Sequence, residues 1–197
     1  GLEFVVFSGW VKDYDTTKIW IQGLLENSLA YLDIPMLSRL YKAWLLNNKE
    51  DILYWNDYLY ASRDSKELCE EENQLAYALA RLLGDLGISE AIEWRENSKA
   101  CFLSLFTLGA WYWKIPLKEA ALGYLWMWAE NQVLAAIKLV PIGQTSGQNI
   151  LSSVIEIIPG IVSTGLSLED EEIGYTNPGQ GIASALHETQ YTRLFRS

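Results

Sequence analysis

The amino-acid sequence predicts an all-α protein, a single-domain helical bundle followed by a flexible C-terminal tail. Along most of the 197 residues, apolar side chains recur at the three- and four-residue spacing of a helix face. The Asn-Gly and Asp-Gly pairs that favour β-hairpins are absent from the sequence. Half of the residues are hydrophobic and 20% are charged, so a chain of this length has enough apolar surface for a core.

The first part of the chain shows helical spacing after a loop around residues 8–14. The spacing predicts three amphipathic helices, over residues 16–31, 33–46 and 51–60. In the second of them, Leu37, Leu40 and Trp44 share one face, and Asn47 follows its end. These helices are expected to bury one side each.

The middle of the chain contains two helix start signals. Asp64 stands three residues before Glu67, the spacing of a capping box, and predicts a long helix over 64–86. Ser89 is suited to cap a shorter helix that extends to residue 99. Glycines follow the first of these helices, which agrees with its predicted end.

The most apolar helix is predicted over residues 101–113. It is apolar on almost every side, which is typical of a central, buried helix. Pro116 suits the first position of a long helix over 116–140. A glycine-rich turn over 142–147 and a helix over 148–158 complete the expected domain.

Composition excludes several classes of partner. The 25 acidic and 15 basic residues give a formal net charge of −10, which repels nucleic-acid phosphates and anionic lipid surfaces. The longest uncharged apolar-rich stretch, 101–113, is shorter than the roughly 17–25 residues of a membrane span. Two cysteines make at most one disulfide, and the N-terminus lacks the pattern of a signal peptide. We therefore expect a cytoplasmic protein that binds neither nucleic acid nor membrane.

Motifs for catalysis or metal binding are incomplete. His187 is the single histidine, and Tyr191 occupies the position where a His-Glu-x-x-His zinc helix has its second histidine. The glycine-rich segment 143–148 lacks the Gly-Lys-Ser/Thr ending of a phosphate-binding loop. The sequence therefore predicts no catalytic residues, no metal ligands and no cofactor.

A polar cluster lies at the start of the helix predicted over 64–86. Arg63 with Glu67, and Lys66 with Glu70, have the i,i+4 spacing of salt bridges on a helix surface. Such a cluster is expected to be structural or to face a partner. The nine tryptophans and eleven tyrosines leave a second possibility open, a helical enzyme with an aromatic-lined small-molecule pocket.

Four blocks of residues, taken together, resemble the urease accessory protein UreF family. They are Leu40-Tyr41-x-Ala43-Trp44, Ala61-Ser62-Arg63-x-Ser65-Lys66-Glu67-Leu68-x-Glu70-Glu71, Gly143-Gln144-x-x-Gly147-Gln148, and His187-Glu188-Thr189-Gln190-Tyr191-Thr192-Arg193-Leu194-Phe195-Arg196-Ser197. The second block and the C-terminal block are the specific ones, and the resemblance covers essentially the whole chain.

The resemblance implies an all-α homodimer that is not itself an enzyme. Members of the family join the accessory scaffold protein UreD or UreH and the nickel-carrying GTPase UreG, and the assembly delivers nickel to apo-urease. The family is also associated with regulation of the GTPase. This chain is therefore expected to act in urease maturation through its protein surfaces.

The resemblance also implies where partners bind. The composition changes after residue 166, where four consecutive acidic residues (169–172) and an aperiodic segment (177–181) predict a solvated linker. The chain is therefore expected to divide into a helical UreF-like domain, residues 1–166, and an acidic linker with a partner-binding tail, residues 167–197. From about Gly181 onward the tail is expected to become ordered on the scaffold. The expected partner-binding residues are Arg63, Lys66, Glu67, Glu71, Gln144, Gln148, His187, Glu188, Tyr191, Arg193, Leu194, Phe195 and Arg196.

Overall fold

A computed structural model describes residues 1–63, 65–174 and 178–187. These residues form helices joined by short connections, without a β-strand among them, which confirms the all-α prediction. The α-helices are α1 (Leu2–Phe7), α2 (Tyr14–Leu24), α3 (Asp33–Leu45), α4 (Lys49–Ala61), α5 (Lys66–Asp85), α6 (Phe102–Tyr112), α7 (Leu117–Leu139), α8 (Gln144–Ser167) and α9 (Pro178–His187). A π-helical turn (Leu25–Leu29) and 3-10 helices (Ser89–Glu96 and Asp170–Glu172) connect them.

Side-chain caps start three of the helices. The Asp13 carboxylate accepts a hydrogen bond from the Thr16 amide at 2.9 Å, and the Thr16 hydroxyl accepts one from the Asp13 amide at 3.1 Å. Asn48 caps α4 through the Asp51 amide at 3.3 Å. Ser65, rather than the predicted Asp64, is the N-cap of α5. Asp64 itself lies outside the described residues.

The core is continuous across the central helices. Fully buried side chains of α2, α3, α6, α7 and α8 form its largest cluster. Leu103, Leu105 and Leu108 of α6 have no exposed surface, which confirms the prediction of a central helix there. A second cluster joins α5 to α3, α6 and the helix Ser89–Glu96, and a third joins α1, α7 and α9.

Helix α8 is longer than the sequence predicts. The expected helix over 148–158 extends from Gln144 to Ser167 and passes through Pro159. Proline normally interrupts a helix because it lacks an amide donor, so the prediction ended at residue 158. Pro159 lies on the exposed side of α8, while Ile158, Ile161 and Val162 remain buried in the core. Packing of these residues accounts for the continuation.

Two further elements depart from the predictions. The helix expected over 16–31 is α2 followed by the π-helical turn, in which the Ala30 amide donates to the Leu25 carbonyl at 3.1 Å. Residues 178–187, expected within the tail, form α9. This helix packs on α1 and α5, and Ala183 and Ser184 are fully buried.

Within the described residues, α8 has the length and hydropathy of a membrane span. Apolar core helices of soluble proteins share this length and hydropathy. Helix α8 packs on α2, α3 and α7, which accounts for the apolar residues on one of its sides.

Candidate functional site

The predicted partner-binding residues occupy three places in the structure. Arg63 lies between the central helices, Glu67 and His187 lie at the junction of α1, α5 and α9, and a third group is on the surface. The exposed residues are Lys66, Glu71, Gln144 and Gln148. The remaining predicted residues fall outside the described part of the chain: Glu188, Tyr191, Arg193, Leu194, Phe195 and Arg196.

The Arg63 guanidinium is the centre of a cluster that joins four helices. Its Nη2 atom donates to Asp33 Oδ1 at 2.9 Å and also contacts Glu72 Oε1. The Tyr124 hydroxyl donates to the same Asp33 oxygen at 2.8 Å, and Glu72 Oε2 accepts a hydrogen bond from the Phe102 amide at 2.8 Å. The cluster therefore links the connection between α4 and α5, which contains Arg63, to α3, α5, α6 and α7.

This cluster corrects one sequence prediction. The expected i,i+4 pair between Arg63 and Glu67 does not form, because the Arg63 side chain points to Asp33 and Glu72. The second expected pair is confirmed: Lys66 Nζ lies 3.2 Å from Glu70 Oε1 on the surface. Asp33 is 30 positions from Arg63, so periodicity along one helix could not identify it as the partner.

Electrostatics raise the pKa values of Arg63 and Tyr124 in this cluster. Burial disfavours the charge on Arg63, but the carboxylates of Asp33 and Glu72 outweigh it and raise the Arg63 pKa well above its ordinary value. Burial, and next the negative charge of Asp33, raise the pKa of Tyr124 well above its ordinary value. Arg63 therefore stays cationic and Tyr124 stays a hydrogen-bond donor.

His187 joins α9 to two other helices. Its Nδ1 atom lies 2.5 Å from Glu67 Oε1 on α5, and its Nε2 atom lies 3.3 Å from Glu3 Oε2 on α1. Only 2% of His187 is exposed. One turn earlier, the Ser184 hydroxyl lies 2.7 Å from the Ser65 hydroxyl. In the monomer, Glu67 and His187 therefore position α9, and contact of their side chains with a partner stays a prediction.

The described residues do not bring together three His, Cys, Asp or Glu side chains with the geometry of a metal site. Cys69 and Cys101 are both free thiols. Burial raises the pKa of the Cys101 thiol, and Cys101 has no exposed surface.

A surface feature that the sequence analysis did not identify lies where α3 meets α4. Two hollows occur there, and α4 contributes lining residues to both. The smaller one, about 210 Å³, is lined by Trp44, Ile52, Leu53 and Trp94 among others. Its aromatic lining is what the alternative hypothesis, an enzyme with a small-molecule pocket, requires. Its volume, however, is smaller than the ~300–1,000 Å³ typical of ligand pockets. In the sequence, this surface feature is indicated by leucines that lie outside the core-facing positions of α3 and α4.

The family model and the relatives that match this chain carry the same family name. Residues 11–155 match the family model described as UreF. The urease accessory protein UreF of Alkalilimnicola ehrlichii is 49% identical over 197 residues, which covers the whole chain and 86% of that relative. Proteins of the same name from Pseudomonas putida and Teredinibacter turnerae are each 42% identical over the whole chain, with 88% and 89% of their own lengths covered.

Proposed function

Because the chain belongs to the urease accessory protein UreF family, we propose that it is a non-catalytic maturation factor for urease. In this proposal it joins the UreD/UreH scaffold and the nickel GTPase UreG, and the assembly delivers nickel to apo-urease in the cytoplasm. The observation that carries the proposal is the 49% identity to a urease accessory protein over the entire chain. The resemblance of the C-terminal block, residues 187–197, also supports it.

The proposed mode of action is contact between protein surfaces, with the chain as a homodimer. The exposed residues Lys66, Glu71, Gln144 and Gln148 are available to a partner on the α5 and α8 surfaces. The formal net charge of −10 favours partners with basic surfaces and does not oppose the passage of nickel cations. Control of the GTPase is part of the same proposal.

The scaffold contact is assigned to the C-terminal residues. We propose a helical domain over residues 1–166 and a linker with a partner-binding tail over 167–197. Helix α8 ends at Ser167, the first residue of the proposed linker. Helix α9 packs on the domain, so the residues that we expect to contact the scaffold are those after His187, with Phe195 as an apolar anchor and Arg193 and Arg196 beside it.

Size-exclusion chromatography with light scattering tests this assignment. The chain would be mixed with the purified scaffold protein in three forms: intact, truncated after His187, and carrying Phe195→Ala. Truncation there leaves α9 and its contacts with Glu3 and Glu67 in place. The expected result is a complex with the intact chain and none with the truncated chain.

Phe195→Ala should weaken scaffold binding by about 2 kcal/mol if Phe195 is buried in the complex. Phe7→Ala is the matched control, because Phe7 is 75% exposed at the end of α1, outside the proposed contact. Equal binding by all variants would contradict the assignment of the contact to the tail. Absence of any complex with the intact chain would contradict the proposed function.

A further inference from the structure

Four large apolar side chains are exposed within ten positions where α3 meets α4. Leu45 and Leu46 are 63% and 62% exposed, and Leu53 and Tyr54 are 51% and 58% exposed. We call this surface, together with its two hollows, the α3–α4 corner. Leu46 and Tyr54 line the larger hollow and Leu53 lines the smaller one. Single exposed leucines are ordinary, but a group of exposed apolar side chains is typical of a binding surface.

The turn within the corner is held in one conformation. Asn47 has a φ of +50°, the left-handed conformation that asparagine adopts more readily than most residues. The Asn47 amide donates to the Trp44 carbonyl at 3.1 Å, and the Asn48 amide donates to the Ala43 carbonyl at 2.9 Å. Because both helix ends are capped around this turn, the exposed leucines are presented in a fixed arrangement.

The two hollows differ in character. The smaller one is lined by indole rings and aliphatic groups, and Lys49 and Glu93 also line it. The larger one, about 600 Å³, is lined mostly by charged and polar residues together with Leu46, Tyr54 and Trp55. The first is the size of an apolar side chain rather than a small-molecule ligand, and the second is too polar for a typical ligand pocket. Both are suited to side chains of another protein.

The charge around the corner indicates the chemistry of the partner. Five acidic residues and three basic residues line its hollows: Asp51, Glu93, Glu169, Asp170 and Glu171, against Arg39, Lys42 and Lys49. Arg39 is paired with Asp170 at 2.9 Å, and Lys49 is paired with Glu93 at 3.4 Å. The surface is therefore acidic overall and is complementary to lysine and arginine.

We propose that the α3–α4 corner is a docking surface for a different protein of the urease assembly, which inserts large apolar side chains between lysines and arginines. The inference rests on the proposed function, because that function supplies the candidate partners. A second copy of this chain fits the corner poorly, since a two-fold contact would bring the acidic residues of both copies together.

Binding assays with paired variants test the proposal. The intact full chain and its variants would be titrated separately with purified scaffold protein, UreG and apo-urease. The double variant Leu53→Ser with Tyr54→Ser removes two of the four exposed apolar side chains of the corner. The double variant Leu82→Ser with Tyr77→Ser is the control, because these α5 side chains are 54% and 51% exposed. The corner variant should bind one partner at least about tenfold more weakly than the intact chain, and the control should not.

Charge reversal provides a second, independent measurement. Glu171→Lys should weaken the same interaction, and the affinity of the intact chain should fall as salt concentration rises. Glu156→Lys, an exposed position on α8, is the matched control. Circular dichroism and thermal unfolding verify folding of each variant. If the double variant does not fold, Leu46→Ser replaces it, because Leu46 is 62% exposed.

The outcomes separate the two proposals. If the intact chain binds partners and the corner variants bind as tightly as their controls, the docking surface is wrong and the proposed function stands. If the corner variants instead change the oligomeric state of the chain alone, a second copy covers the corner and the inference is overturned. If the intact chain binds none of the three proteins, both proposals are contradicted.

Discussion

At the scale of single residues, Arg63 is the cation of the buried cluster that also contains Asp33, Glu72 and Tyr124. Its charge is balanced by Asp33 and Glu72, and only 14% of its side chain is exposed. A buried ion pair adds little net stability, but removal of one partner leaves an uncompensated charge in the interior. The resemblance assigned Arg63 to a partner surface, whereas in the monomer its contacts are internal.

Replacement of Arg63 should therefore destabilise the fold severely. Arg63→Met leaves the carboxylates of Asp33 and Glu72 buried without their cation, and we expect a loss of about 3–5 kcal/mol in the free energy of unfolding. Lys66→Met is the control, because the Lys66 side chain is 79% exposed and its surface ion pair should contribute less than about 1 kcal/mol. Urea denaturation of both variants measures the difference. Equal stability of the two variants would contradict the assigned role of Arg63.

The two cysteines should differ in reactivity. Cys101 is fully buried and burial raises its pKa, whereas Cys69 is partly exposed. Iodoacetamide at neutral pH should therefore alkylate Cys69 in the native protein and both cysteines after unfolding in urea. Mass spectrometry of the peptides identifies the modified residue. Alkylation of native Cys101 at the rate of Cys69 would show that the α6 end of the core is open.

At the scale of elements, two glycines of α8 have opposite environments. A Cβ atom on Gly165 would lie 2.7 Å from the Ala30 carbonyl oxygen and 2.6 Å from the Ile34 side chain. A Cβ atom on Gly160 would meet no atom within 4 Å. Helix α8 can therefore approach the start of α3 closely only because residue 165 is glycine.

Alanine at these positions should change stability in opposite directions. Gly165→Ala should destabilise the protein by about 1–3 kcal/mol, because the backbone of residue 30 must move. Gly160→Ala should stabilise it by about 0.4–1 kcal/mol, because alanine loses less backbone entropy in a helix. The midpoints of thermal unfolding give the comparison. Destabilisation by Gly160→Ala would mean that other protein atoms cover the side of α8 on which Gly160 lies.

The docking of α9 should depend on His187. His187→Ala removes the link between Glu67 on α5 and Glu3 on α1. We expect amide hydrogen exchange over residues 179–187 to accelerate at least about tenfold, with α6 amides unchanged. His187→Gln, which keeps a hydrogen-bonding side chain, should have a smaller effect. Equal exchange in the unmodified chain and both variants would mean that the packing of Ala183 and Ser184 is sufficient to hold α9 in place.

Sequence periodicity was informative for elements with one dominant apolar face. It predicted α3 and α4 closely, and it identified α6 as central because nearly all of its residues are apolar. The periodicity predicts too short a helix for α8, because Pro159 is a helix-ending signal that can be read locally. The contacts of α8 with α3 and α7 involve residues distant in the sequence, so periodicity does not detect them. It missed α1 and α9, which are short and owe their stability to packing on each other.

At the scale of the whole molecule, the sequence predicted the family better than the geometry of the site. The blocks around Arg63 and His187 identify the urease accessory proteins, and the comparisons confirm this. Arg63 contacts Glu72 nine positions away, but its other partner, Asp33, is 30 positions away. The partners of His187, Glu67 and Glu3, are still more distant in the sequence. Only the packing of α1, α3, α5 and α9 brings these groups together.

The proposed function requires that this chain promote urease maturation without catalysing a reaction itself. Urease activity would be measured in cells that produce apo-urease, the scaffold protein and UreG in nickel-containing medium, with and without this chain. We expect high urease activity only when the chain is present, and no hydrolysis of urea or GTP by the purified chain alone. Equal urease activity in cells without the chain would contradict the proposed function.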